Sequence, residues 1–264
     1  MSISTLKRRI KSYGLSRRNP DYDEQRLQEL RVPRTAVQLL LKEIDPRGSS
    51  LRKAHRLRRR TYCNIGPNYA WHCDGCDKLK PFGFPIHRCI DGWSRKILWL
   101  YVTRSNNQPN NIATYFLDAV VELNGCPVDL VSDLGTENGI MAAAQALFRD
   151  DENNHRYVPS PSNQRTESWW AQYSRSSASW WINFFKDLVD ERQLDTTSEL
   201  QMECLWFCFS KVLQKELNEI KEHWNNHFIR KSGHDTISGR PDSLYYLPQL
   251  RGGSCNLSLP VPLC

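Results

Sequence analysis

The chain has 264 residues, a formal net charge of +7, 39% hydrophobic and 11% aromatic residues. That supplies a core for one large domain or two small ones and excludes a chain disordered throughout. No apolar run approaches the roughly 18 residues of a membrane span. The start, MSISTLKRRIKSYG, lacks the apolar centre of a signal peptide, so an intracellular protein that does not enter the membrane is expected.

Charge is distributed unevenly. Residues 1–60 hold 17 lysines and arginines against 6 acids, while the remainder is slightly acidic. A basic arm on such a body predicts a polyanion-binding segment beside a domain with another task. A solvated tail with nuclear-localisation character is the simpler alternative. Nine cysteines, an odd number without a small-domain spacing pattern, predict reduced thiols.

Two helices are expected in the basic arm. STLKRRIKSYG places Leu6, Ile10 and Tyr13 at helical spacing behind a Ser/Thr cap. VPRTAVQLLLKEIDPRG opens at Pro33, carries a Val37, Leu40, Leu41, Ile44 stripe, and is expected to end at Pro46 and Gly48. Each looks like the second helix of a helix-turn-helix unit whose partner helices are missing, hence a truncated DNA-binding module. SLRKAHRLRRR follows as a basic linker, with Arg52, Lys53, Arg56, Arg58, Arg59 and Arg60 suited to phosphate contacts.

Beyond residue 60 the pattern becomes α/β. YAWHCD is a strand, and FPIHRCI and KILWLYV form a hairpin through DGWSR with a turn at Asp91-Gly92. NNIATYFLDAVVELNG reads as a helix with an Asn cap and a terminal Gly125. PVDLVSD is a fourth strand, ENGIMAAAQALFRD a second helix and HRYV a short fifth strand. Helical, aromatic-rich sequence fills most of 166–228. The order β-β-β-α-β-α-β-α predicts a layered fold on a five-stranded mixed sheet flanked by helices. Residues 249–264 carry proline, glycine and serine without periodicity and are expected to be a flexible tail.

This order would gather three acids. Asp74 ends the first strand, Asp133 ends the fourth, and Glu167 opens the helix after the fifth. If strands one and four are parallel neighbours, their carboxyl ends lie together, where open α/β sheets build sites. Three carboxylates alone repel, and one would take up a proton. Hard divalent cations remove that conflict, since Mg²⁺ takes a few carboxylates plus substrate phosphates. Two such ions can activate an attacking oxygen and stabilise the leaving oxygen of a phosphodiester.

At this point the sequence resembles a family. WHCD (71–74), DGWSR (91–95), VSDLGTENG (131–139) and PSNQRTE (161–167) are similar to the successive landmarks of retroviral-type integrase cores and the related DDE transposases. HWNNHFIR…GRPD (223–242) looks like the segment that often closes such cores. The resemblance runs over about 61–248 and looks strongest to transposon-derived integrase-core proteins of animal genomes. It implies a ribonuclease H-like fold, with Asp74, Asp133 and Glu167 as catalytic ligands of two Mg²⁺ (or Mn²⁺). It also implies cleavage and strand transfer on DNA, transposon ends and target as partners, a homo-oligomer, and a nuclear location.

Departures fall around DNA handling. Leu134 stands where the family often has Asn, and Gln164 and Arg165 follow Asn163 where Gly is frequent. Ala171 and Ser174 occupy places where integrases often carry lysines, with Arg175 adjacent as the remaining DNA contact. These leave two other readings: a catalytically decayed or domesticated nucleic-acid-binding protein of the same fold, and a plain nuclease.

Competing assignments are local. Asp77 reads as a loop acid and Asp91 as a turn residue, while Glu137 favours the start of its helix. Cys63, Cys73, Cys76, Cys89, His72 and His87 offer zinc-type atoms at spacings that fit no usual finger, and Cys73 should face away from Asp74. Trp169, Trp170, Trp180, Trp181, Phe184 and Phe185 read as one buried helix face, with Trp169 the expected exception as a base-stacking ring.

Overall fold

The computed structural model describes residues 43, 45–48, 64–151, 153–158, 164–231, 237–254 and 256–261; of the side chains of 164–168 nothing is described. The chain divides into two compact units, Met1–Arg60 and Thr61–Cys264. The first predicted N-terminal helix, most of the second and the linker residues Arg52 to Arg60 lie outside the described residues. In the first unit, 46–48 is helical and Gly48 N–H donates to Asp45 Oδ1 at 2.7 Å. Pro46 thus opens a turn there, as its fixed φ allows, where the sequence suggested an ending.

The second unit is built on five strands. β1 (Ala70–Cys76) pairs antiparallel with β2 (Ile86–Asp91), which pairs antiparallel with β3 (Ile97–Val102). β1 also pairs parallel with β4 (Asp129–Ser132), and β4 parallel with β5 (His155–Tyr157). The order across the sheet is β3-β2-β1-β4-β5, the mixed sheet expected from the element order. The parallel joins need crossovers, which α1 (Pro109–Glu122) and α2 (Gly139–Arg149) provide. Gln108, not an asparagine, stands at the α1 N-terminus, because Pro109 takes the first helical position. At its other end Asn124 adopts the left-handed conformation (φ 51°), while Gly125 N–H returns to Val120 O.

Both faces of the sheet are covered, which explains why β2 is buried at all six positions. Odd-numbered side chains of β1 and β2, Trp71, Cys73 and Cys89, pack with Trp99, Ile112, Phe116 and Met141 on the α1–α2 side. Even-numbered ones, Cys76, Ile86 and Ile90, pack with Ile97, Leu100, Trp169, Trp170, Trp181 and Phe185 on the other. Each wholly buried large side chain contributes roughly 2–3 kcal/mol from the area it removes from water.

That second layer is helical. α3 (Gln164–Tyr173) continues through a π-type turn (Ser174–Ala178) into α4 (Ser179–Asp190), and α5 (Glu199–Asn226) crosses behind. The wide turn takes up about one extra residue, so the aromatic face slips by one position. Trp181 and Phe185 are buried, whereas Trp180 is 60% exposed and stacks on Phe184. The ring expected to be exposed, Trp169, is 3% exposed.

α5 also closes the outer edge of the sheet. Ile97 N–H donates to Asn225 Oδ1 at 2.8 Å, and Asn225 Nδ2 donates back to Ile97 O at 3.1 Å. Val102 N–H donates to Gln214 Oε1, and Gln214 Nε2 to Leu100 O, both at 3.0 Å. Lys221 and Trp224 donate to the Leu98 and Arg95 carbonyls. The open backbone groups that make an edge strand sticky are thus satisfied by side chains.

After α5 come α6 (Pro241–Tyr246) and a short turn, Pro248–Arg251. The stretch set apart above as a flexible tail touches the body at several points. Ser254 N–H donates to Ile65 O, and Cys126 and Leu259 exchange both backbone hydrogen bonds. Val261 packs against the α1 side of the core.

Candidate active site

The parallel join of β1 and β4 decides where the first two acids lie. The register pairs Ala70 with Asp129 and His72 with Val131. The same offset carried two residues further would set Asp74, still within β1, level with Asp133, the residue after β4. Neighbouring strands run about 4.8 Å apart, so the two carboxylates leave adjacent backbone positions. Both residues are half-buried.

Asp133 is held by a neighbour that sequence reading passed over. The Asn138 amide donates to Asp133 Oδ1 at 3.1 Å and to Asp133 O at 3.3 Å, and Asn138 is 2% exposed. Asn138 closes the 3-10 turn Thr136–Asn138 that leads into α2, and Glu137 sits in that same turn. Behind Asp133, Ser132 Oγ lies 3.1 Å from His155 Nε2. Burial pushes His155 down to about 4, so it is neutral at neutral pH and adds no charge beside Asp133.

Asp74 is held from α3. Trp170 Nε1–H donates to Asp74 Oδ2 at 2.9 Å. Glu167 occupies the helical position one turn before Trp170, so the backbone of α3 brings that position to the Asp74 end of the sheet. Its side chain lies outside the described residues. One turn further on, Lys78 Nζ from the loop after β1 bonds Ser174 Oγ. A lysine thus reaches, from a distant segment, a helix position where the sequence itself supplies none. Arg175 is exposed on the same turn.

Beneath Asp74 lies Arg88, its direct cross-strand partner on β2. Arg88 is wholly buried, and its guanidinium sits 4.6 Å from the Trp169 ring centroid and 4.8 Å from that of Trp170. None of its three side-chain nitrogens has a hydrogen-bond partner among the described residues. Burial lowers its ionisation to about 10, opposed by the negative charge of Asp74, so it remains a cation at neutral pH. Two aromatic faces and a nearby carboxylate offset the desolvation of that charge.

The competing acids take structural roles. Asp77 accepts from Asn106 Nδ2 at 3.1 Å and pairs with Lys80 at 2.8 Å. Asp91 is wholly buried and accepts from Asn68 N–H, Ser94 N–H and Ser94 Oγ–H at 2.6–2.8 Å, which fixes the β2–β3 turn. Cys73 and Cys89 lie in the core on the α1 side and Cys76 on the other, so the zinc-type atoms split between layers. Cys63 lies outside the described residues.

No group of three His, Cys, Asp or Glu suited to a metal ion occurs among the described residues, which leave out the Glu167 side chain. Asp74 and Asp133 nonetheless supply the oxygen donors a hard divalent cation takes, one of them oriented by Asn138.

The integrase core domain model matches residues 61–251, most of the chain. The chain belongs to the integrase core family, with its ribonuclease H-like sheet. Among solved structures, similar ones are found at low identity. The simian T-cell lymphotropic virus intasome, solved with the PP2A regulatory subunit B56 gamma, matches at 14% identity with a TM-score of 0.44. That match covers 76% of this chain and 59% of the viral one, so this chain spans under two thirds of that relative. The HTLV-2 integrase catalytic core domain in complex with magnesium, in its trimeric and dimeric forms, matches at 15% identity with a TM-score of 0.39. It covers 66% of this chain and 96% of the viral domain. No curated protein matches the sequence. No helix among the described residues is long and apolar enough to cross a membrane.

Proposed function

We propose that this chain is a DNA strand-transfer core of the DDE type, a polynucleotidyl transferase derived from a transposon. The observation that supports the reading is the parallel β1–β4 register, whose offset extended by two residues would bring Asp74 level with Asp133, while Trp170 ties α3 to Asp74. Asp74, Asp133 and Glu167 would hold two Mg²⁺ (Mn²⁺ can substitute). Such ions, when bound, activate an attacking oxygen and stabilise charge on the leaving oxygen of a phosphodiester.

The chain's own residues do the rest. Asn138 keeps Asp133 turned outward, and Trp170 keeps Asp74 in one orientation. Lys78 and Arg175 meet the DNA backbone beside the acids, while Arg52, Lys53, Arg56, Arg58, Arg59 and Arg60 add phosphate contacts with little sequence preference. The working unit is a homo-oligomer acting in the nucleus on transposon ends and target DNA.

The test is a strand-transfer assay with the full chain, Mg²⁺ and a duplex that mimics an element end. Joined products are expected from the wild type and none from Asp133→Asn. Activity that survives this substitution removes the ligand assignment, and hydrolysis without joining makes the protein a nuclease.

A second reading has its own support. Asp74 already accepts a hydrogen bond from Trp170 and lies over a buried cation, so part of its charge is met within the protein. That favours a DNA-binding protein that has kept the fold and lost the chemistry. It predicts DNA affinity unchanged by a chelator and no product in either assay.

A further inference from the structure

Arg88 has no function in the reading above, and its position is costly. A guanidinium carries five donors, yet none of the Arg88 nitrogens finds an acceptor among the described residues. Burying such a group without hydrogen bonds costs several kcal/mol, so something must compensate. The compensation in view is electrostatic: two tryptophan faces within 5 Å and the carboxylate of Asp74.

The geometry ties this cation to one acid. Asp74 and Arg88 are register partners on antiparallel strands, so their Cβ atoms project from the same face at roughly 5 Å. Trp170 links the two, stacking on Arg88 while its indole N–H donates to Asp74 Oδ2. Arg88 is wholly buried and enclosed by α3, so its charge can neither be screened by salt nor swing away.

We infer that Arg88 is the resident counter-cation of the acid cluster. Its charge offsets that of Asp74 across the strand pair without a direct ion pair, and a divalent ion binds against that charge. The inference rests on the metal-binding reading of Asp74 and Asp133. It adds that divalent affinity in this chain is set from below the site by a side chain that is not a ligand.

The test measures metal binding in the full chain without any assay of activity. Free Mn²⁺ is titrated by electron paramagnetic resonance into the wild type, Arg88→Met, Arg88→Lys and Asp133→Asn. Arg88→Met keeps the apolar stem between the tryptophans and is expected to tighten Mn²⁺ binding about tenfold or more, the order expected on removing a charge close to a half-solvated site. Arg88→Lys, which keeps the charge, gains less, and Asp133→Asn loses binding. Equal affinity in Arg88→Met and the wild type, with Asp133→Asn still unable to bind, overturns the role of Arg88 and leaves the metal reading standing. Absence of Mn²⁺ binding in both the wild type and Arg88→Met overturns the metal reading itself. A second measurement needs no folded variant: the Arg88 Nε–H resonance of the wild type is followed through a Mg²⁺ titration. It should shift with saturation of the site, and a resonance unmoved at saturation rejects the proposal.

Discussion

Trp170 and Asp74, 96 residues apart in sequence, meet through an indole N–H donated to a carboxylate oxygen at 2.9 Å. The bond pins α3 to the end of β1, and it fixes which way one acid of the candidate site faces. Trp170→Phe keeps an aromatic ring near Arg88 but removes the donor and part of a buried indole. The expected loss is about 2–3 kcal/mol of stability, from the lost bond and the cavity left behind. Strand transfer should fall roughly tenfold, in kcat more than in KM for DNA, because orientation of a group at the reacting centre is lost. Unchanged kcat would show that Asp74 keeps its orientation without this donor.

Asn138 does for Asp133 what Trp170 does for Asp74. Asn138→Ala should cost about 1–2 kcal/mol, since a buried amide with two acceptors is removed. Asn138→Asp should be worse for activity than Asn138→Ala. It replaces the donor that holds Asp133 with a second carboxylate about 3 Å away, so attraction becomes repulsion between like charges. Thermal melts and strand-transfer rates of the two variants, taken together, separate lost support from added repulsion.

His87 gives the fold a pH dependence. It is buried and accepts Trp99 Nε1–H on Nδ1 at 3.0 Å, and burial, with Arg88 adding repulsion, lowers it to about 3. The folded value lies below the unfolded one of 6.5, so the folded state resists the proton that the unfolded chain accepts. Its contribution is complete above about pH 6.5 and is lost as pH falls towards 3. Between pH 6.5 and 5 the loss is about 2 kcal/mol. Urea unfolding at both pH values should show this drop in the wild type and a smaller one in His87→Gln.

Lys78 and Arg175 test the proposed DNA face. Lys78 reaches Ser174 from the loop after β1, and Arg175 lies on the turn that follows α3. Lys78→Ala and Arg175→Ala should each weaken binding to duplexes of any sequence and lower the salt slope by about one. A salt slope identical to the wild type would place the DNA elsewhere.

Much of this was legible because strands announce themselves. Apolar, β-branched runs separated by turn residues gave the five strands and their order, and the interval between Asp74 and Asp133 equals the β1–β4 register offset. What supports the acids was not legible. Arg88 sits inside FPIHRCI and reads as an interruption of an apolar run, because nothing local shows that two tryptophans some 80 residues later will cover it. Asn138 reads as a helix-start residue, although its amide turns back to Asp133. The π-type turn has no periodic signature, so the exposure of Trp180 was not foreseen, while Trp169, expected to stand free near Glu167, is buried against Arg88. Lys78 was hidden by the assumption that a helix position must be filled from its own helix.

Asn225 and Gln214 turn α5 into a stand-in for a sixth strand. A neighbouring polypeptide that tried to lengthen the sheet at β3 would find its donors and acceptors already engaged. Copies of this chain cannot join along that rim by main-chain pairing. At this end of the sheet, contact with another chain falls to side chains on the α5 surface, where single replacements can tune it without disturbing the sheet.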